Sequence, residues 1–256
     1  MTKRRQTGRR PSRGELSSLC LLACLAAVGS GCADNQESLI VLMVPAWEDG
    51  GCAVPTTADA ALPYGTLDLA FGTPYAMPAL LLNNTADQAA GDNNSGIVTN
   101  EVQLLDVDVD LSMAQAPDVI DALRDMDEAF VSFNVPLSTN SLAPGQITGV
   151  LVEVIPQQTA VAMGELVLAQ FGAAAKLTVE ASVVFHASRS GNTVGKVGGV
   201  DSREFSFPIS VCFDCLRSCA TCPGAECPVG ATSFAGGVCG NAQDLVLYPT
   251  ACEMPE

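Results

Sequence analysis

The sequence predicts a mainly β protein, an antiparallel two-sheet sandwich with one or two short helices and a disulfide-rich C-terminal tail. Three observations point there. Short apolar runs recur between Gly, Pro and Asn turn signals. β-Branched Val and Thr are spread along the whole chain. Seven of the 11 cysteines fall between positions 212 and 252, where apolar residues are scarce.

Residues 1–31 read as an export signal. Lys3, Arg4, Arg5, Arg9, Arg10 and Arg13 make a basic start, Leu16 to Val28 an apolar stretch, and small residues precede Cys32. The apolar stretch is shorter than the about 20 residues that a spanning helix needs. Neither Arg pair is followed by the apolar residues of a twin-arginine signal, which points to general secretion. The string Leu25-Ala-Ala-Val-Gly-Ser-Gly-Cys32 resembles the lipobox of bacterial lipoproteins. That resemblance implies a diacylglyceryl group on the Cys32 thiol, cleavage before it, and residues 32–38 as a lipidated tether. Gly29 stands where the family favours Leu. Leu21-Leu22-Ala23-Cys24 fits the local pattern better but leaves a shorter apolar stretch. Cysteine parity points to Cys32. Its processing removes Cys20 and Cys24 and acylates Cys32, leaving an even set: Cys52, Cys212, Cys215, Cys219, Cys222, Cys227, Cys239 and Cys252. A signal peptide cut near Gly31 without acylation is the plainer alternative.

Twelve basic residues oppose 28 acidic ones, a formal charge of −16. Loss of the leader takes six of those basic residues and Glu15 with it, so a cleaved chain carries about −21. A field of that sign repels nucleic acid and anionic headgroups. It suits a solvated surface, or one that gathers cations.

Residues 39–211 supply the strands. Leu39 to Val44 is an apolar run ended by Pro45; Tyr64 to Phe71 and Tyr75 to Leu82 follow. Gln103 to Leu111 alternates most cleanly, with Leu105, Val107, Val109 and Leu111 expected inward and Asp106, Asp108 and Asp110 outward. Phe130 to Val135, Ile147 to Ile155, Leu177 to Phe185 and Phe205 to Val211 complete about eight strands. Pro117 to Glu128 reads as a helix, with Pro in its first turn and Ile120, Leu123 and Met126 on one face. Gln158 to Phe171 reads as a second, carrying Val161, Leu166 and Leu168, with a strand over Glu165 to Gln170 as the alternative. Many strands and few helices suggest immunoglobulin-like wiring.

Residues 212–256 cannot bury enough surface to fold on a core and are expected to be held by disulfides. Seven tail cysteines cannot pair among themselves, so one bridge should reach Cys52. In immunoglobulin-like wiring the first strand can lie parallel beside the last, which would bring Cys52 to Cys212 or Cys215. The spacing Cys212-x2-Cys215-x3-Cys219-x2-Cys222-Pro223 has the wrong order of gaps for an iron–sulfur run, and its halves lie too close for zinc knuckles.

Candidate chemistry is sparse. Asp106, Asp108 and Asp110 share one face of a strand and could contribute to a calcium site if a loop added oxygens; a plain solvated face is the commoner meaning. Asp92 to Gly96 lacks the ligand pattern of a calcium-binding helix–loop–helix. His186 is the only histidine, at a strand end, so a surface or capping role is expected and a multi-histidine metal centre is excluded. No G-x-S-x-G elbow marks a nucleophile for a hydrolase that uses His186. Trp47 with Pro45, Tyr64 and Tyr75 could form an aromatic patch for sugar or peptide, or simply cover a sheet end. Asn83-Asn84-Thr85 and Asn93-Asn94-Ser95 match glycosylation sequons, which carry little weight in a bacterial cell. No cofactor and no bound transition metal are expected.

The Arg-rich leader, the lipobox, the acidic β domain and the Cys-rich end together look like envelope lipoproteins of myxobacterial type, a group with no defined activity. The resemblance implies an outer-membrane anchor, on a face left open. The expected function is non-catalytic binding of an envelope protein or glycan. The alternatives are a secreted hydrolase using His186 and a calcium-stabilised adhesin.

Overall fold

Twelve strands and two α-helices form among the residues that the computed structural model describes: 38–47, 53–57, 60–85, 100–137, 141–189, 199–217, 234–236, 239, 241–245 and 247–249. One sheet orders β1 (Leu39–Met43), β3 (Tyr75–Asn83) and β7 (Ile147–Ile155), all antiparallel. The larger sheet orders β2 (Gly65–Asp68), β10 (Phe205–Cys212), β8 (Lys176–Arg189), β4 (Val102–Ser112) and β5 (Ser132–Pro136). Short strands β6 (Ser141–Leu142) and β9 (Gly199–Asp201) pair with β4 and β8. A third, two-stranded sheet joins β11 (Phe234–Gly236) to β12 (Leu247–Pro249). The helices are α1 (Pro117–Met126) and α2 (Gln157–Phe171). The protein is therefore mainly β, with antiparallel and mixed sheets.

One apolar core draws on both larger sheets. β3 supplies Tyr75, Met77, Ala79 and Leu81, and β7 supplies Val152 and Val154. From the other sheet come Val107 and Val109, Val183 and Phe185, Phe207 and Ile209. The opposite face of β3 is covered as well, since Ala76 and Leu80 are also buried. Gln243 closes over Ala76 there, its side-chain amide accepting from Ala76 N and donating to Ala76 O, each at 2.8 Å. That pair of bonds imitates a strand neighbour and satisfies a buried peptide.

Several expectations need correction. Leu105 is 43% exposed and Leu104 is buried, because the β4–β8 register slips between Leu104 and Asp106. A bulge there gives β4 one residue more than β8 and reverses the facing of everything before it. The run Tyr64 to Phe71 breaks at Asp68, whose carboxylate accepts from Ala70 N and starts a 3₁₀ turn over Leu69–Phe71. Met126 is 56% exposed; α1 buries Val119, Ile120 and Leu123 instead. α2 is helical through Glu165 to Gln170, but it exposes Val161 and Leu168. Its buried face is Thr159, Ala160, Met163, Gly164 and Val167, with Gly164 passing close over Leu69.

The strand parallel to β10 is β2, not the first strand, which instead pairs antiparallel with β3. The expected bridge from Cys52 to Cys212 or Cys215 is also overturned, because Cys212 and Cys215 are joined to each other. Their Cα atoms lie 5.9 Å apart across the turn that leaves β10, within ordinary disulfide reach. Buried Asp68 holds that turn, accepting from Asp214 N at 2.8 Å and Leu216 N at 3.1 Å. Cys239 is disulfide-bonded too. Cys32, Cys52, Cys219, Cys222, Cys227 and Cys252 lie outside the described residues. Five tail cysteines and Cys52 still make an even set once the 212–215 pair is removed.

Candidate functional site

His186 stands on β8 between two strands that each bring it a carboxylate. The β4–β8 register sets Asp106 opposite His186, and the β8–β9 register sets Asp201 opposite it from the other side. Asp108 follows two residues after Asp106, on the same face of β4. Nδ1 of His186 lies 2.8 Å from Asp201 Oδ1, and Nε2 lies 2.9 Å from Asp108 Oδ2. Asn134 on β5 donates both amide hydrogens, one to Asp106 Oδ1 and one to Asp108 Oδ1, each at 2.9 Å. The His186 side chain is 29% exposed, so the group sits at the surface but is not fully solvated.

The hydrogen bond to Asp201 holds the imidazole above its ordinary pKa of 6.5; burial opposes this in part and Asp108 reinforces it. Asn134 and then His186 hold the Asp108 carboxyl below its usual range. Both directions favour an imidazolium between carboxylates. A histidine raised on folding contributes stability that is complete below about 6.5 and is lost as pH rises through the raised value. As His186 is the only imidazole, its Cε1 proton gives one titrating NMR signal, expected to move with an apparent pKa above 6.5. A midpoint at or below 6.5 would contradict the two contacts.

Asp106, Asp108 and His186 each offer one ligand atom, all within 4.8 Å of one another. The expected calcium triad is thus regrouped: Asp110 is exposed on the same strand, and His186 takes the third place because β8 runs beside β4. Nothing in the spacing of the sequence shows this. Alternation reveals that the aspartates share a face, but their histidine is 78 residues away from Asp108 and comes by sheet register.

The aromatic patch does not assemble as expected. Tyr75 is fully buried, and its hydroxyl donates to Asp244 at 2.9 Å; Trp47 Nε1 donates to the same carboxylate at 3.2 Å. Tyr64 is exposed. Asp244 also accepts from Thr66 N at 2.7 Å and from the Gln243 amide at 3.4 Å. Its carboxyl is pushed up by burial against the lowering effect of those donors, and burial with Asp244 beside it pushes the Tyr75 phenol well above 10. Two aromatics are thus spent on holding residues 241–245 to the body rather than on a ligand. Sequence reasoning misses this completely, since the partners lie 169 and 197 residues from Asp244.

The described residues also form two open grooves along α2. One, of about 490 Å³, is walled by Leu69, Phe71, Val161, Leu168 and Phe213. The other, of about 640 Å³, is lined by Glu153, Gln157, Gln158 and Glu165. Two residues of the first groove also meet Arg217, which pairs with Asp214 at 3.1 Å and stacks 5.3 Å over Phe71. Asp92 to Gly96 and the second sequon lie outside the described residues.

No protein-family model, curated protein or solved structure matches this chain.

Proposed function

We propose that this chain is an exported, lipid-anchored protein of the cell envelope, held to the outer membrane through Cys32, whose β domain binds a protein or glycan without catalysis. The closed Cys212–Cys215 disulfide carries the reading, because crosslinks persist in oxidising compartments and not in the cytosol. Among the described residues no helix is long and apolar enough to cross a membrane. Export with an N-terminal lipid fits that fact without requiring it.

The finer fold reading belongs to the same proposal. The order β1-β3-β7 corresponds to strands A-B-E of an immunoglobulin-like domain, and β10-β8-β4-β5 to G-F-C-C′. This chain would depart from antibody domains in having no cysteine on β3 and none on β8 before Arg189, so the inter-sheet bridge is absent. α1 and α2 would be insertions in the C–C′ and E–F connections. Such sandwiches are common binding scaffolds, which is an analogy and assigns no ligand.

The rival hydrolase is disfavoured by the surroundings of His186. A serine nucleophile needs one ring nitrogen facing its hydroxyl. Both ring nitrogens here face carboxylates. The Ser202 hydroxyl, one residue beyond Asp201, is engaged with Phe185 N and Arg203 O.

Fractionation tests the anchor. Wild-type protein should partition into detergent with membranes, and Cys32→Ala should be released or remain as an uncleaved precursor. Globomycin, which blocks the lipoprotein signal peptidase, should make the precursor accumulate. Partitioning and processing unchanged in both arms would refute the reading.

A further inference from the structure

The face shared by β4, β8 and β9 holds more negative charge than one imidazole balances. Asp108 and Asp201 each lie against one ring nitrogen of His186, and Asp106 stands opposite it in the strand register. A neutral imidazole has one N–H, so it can satisfy only one of its two carboxylates. If Asp201 takes the Nδ1 hydrogen, the Nε2 lone pair faces Asp108 Oδ2 at 2.9 Å. Two lone pairs at that distance repel unless a positive charge lies between or beside them.

We propose that Asp106, Asp108 and His186 bind a first-row transition dication of borderline softness, such as Zn²⁺, Co²⁺ or Ni²⁺, through Nε2 of His186 and one oxygen of each aspartate. The donor set is one imidazole and two carboxylates, with solvent free to complete the shell. Mixed nitrogen and oxygen donors select this class of ion over calcium, which takes six to eight oxygens. The spacing suits it. Ligands at about 2.1 Å from an ion are about 3.0 Å apart when adjacent in an octahedral shell and about 3.4 Å apart in a tetrahedral one. The observed 2.9 Å matches the octahedral edge. Opposite ligands would be about 4.2 Å apart, and the full set already lies within 4.8 Å.

The surroundings are arranged as supports for ligands rather than as a random acidic surface. Asp201 takes the other ring nitrogen of His186, so that when an ion displaces the Nε2 proton the remaining hydrogen stays on Nδ1 and Nε2 is the ligand. Asn134 holds Oδ1 of both aspartates from β5. That leaves Oδ2 of Asp108 directed at Nε2. The three ligands and their two supports all sit on sheet strands, so the donors keep their spacing without a loop to order. The expectation of no transition metal rests on the single imidazole and the crosslinked cysteines. Register supplies the other donors. The site is half-open and has three protein ligands, so it should exchange its ion rather than retain it through purification.

The test uses the full chain, purified without a histidine tag, with its disulfides intact. The single imidazole is followed by NMR at pH 7.5 while ZnCl₂ is added, and bound zinc is measured by equilibrium dialysis. Saturable shifts of the His186 signals are expected, with one zinc per chain. Asp108→Asn and His186→Ala should abolish that saturable binding. Asp201→Asn, which touches no ion, should weaken it roughly 10- to 100-fold. Millimolar Ca²⁺ or Mg²⁺ should not displace the zinc. Thermal unfolding of each variant checks that it folds, and Asp201→Asn keeps the test decisive if a ligand variant does not. Signals that titrate with pH but ignore zinc would overturn the proposal in favour of a proton alone. Zinc binding that survives both ligand variants would overturn it by placing the ion elsewhere.

Discussion

Replacing Asp244 with Asn should destabilise the folded domain by about 3 kcal/mol, near the upper end for losing hydrogen bonds to a charged acceptor. In a chain of this size that corresponds to a drop in Tm of about 6–12 °C. The carboxylate receives hydrogen bonds from Thr66 N, Tyr75, Trp47 and Gln243. An amide keeps the shape and tolerates the left-handed backbone at this position, where φ is 57°. It turns one acceptor into a donor, however, and an amide nitrogen at the Oδ2 position would face the Tyr75 hydroxyl and the Trp47 N–H donor to donor. The variant should also alter the pH profile. Burial raises the Asp244 carboxyl above its ordinary value despite its donors. Wild type therefore gains stability as pH falls through that raised value toward 3.8, and the Asn variant does not. Thermal melts at neutral and mildly acid pH read both effects. Equal Tm values in the two proteins would show that residues 241–245 are not held to the body as described.

Gly65→Ala should cost about 3 kcal/mol, the upper end for overpacking a core. The position opens β2, and the added methyl would fall on the Tyr75 hydroxyl and within 2.5 Å of its Cζ. Tyr75 cannot step aside cheaply, because it is fully buried and its hydroxyl is fixed on Asp244. Moving the ring would forfeit both the packing and that bond. Chemical denaturation should show a lower midpoint with an unchanged slope. Because both substitutions act through Tyr75, the double variant should lose less than the two single losses combined. A Gly65→Ala protein as stable as wild type would mean that the ring has room it is not seen to have.

Much of the strand content was legible because it is local. Ile147 to Ile155 reads as a strand from its apolar run, and it is one. Pro117 marks the start of α1 for the reason given by its fixed φ and missing N–H. The failures are non-local. Leu105 obeys the alternation of its own strand and is still exposed, since a bulge is a property of two paired strands. Met126 keeps helical spacing with Leu123, but α1 ends there and turns it outward. The tail looked self-contained because its cysteines are frequent. Gln243 and Asp244 instead complete contacts of β3 and β2, with no periodic signal to announce them. The candidate ion site divides in the same way. Asp106 and Asp108 could be placed on one face by alternation, while His186, Asp201 and Asn134 arrive from three other strands by pairing.

The anchor at Cys32 is the claim on which localisation and function both rest, and the mature N-terminus tests it directly. Protein purified from membranes and analysed by intact mass and N-terminal peptide mapping should lack residues 1–31. It should begin at Cys32 with a diacylglyceryl thioether on that residue. A chain that begins at any other residue, or an unmodified Cys32 in membrane-derived protein, would contradict the account.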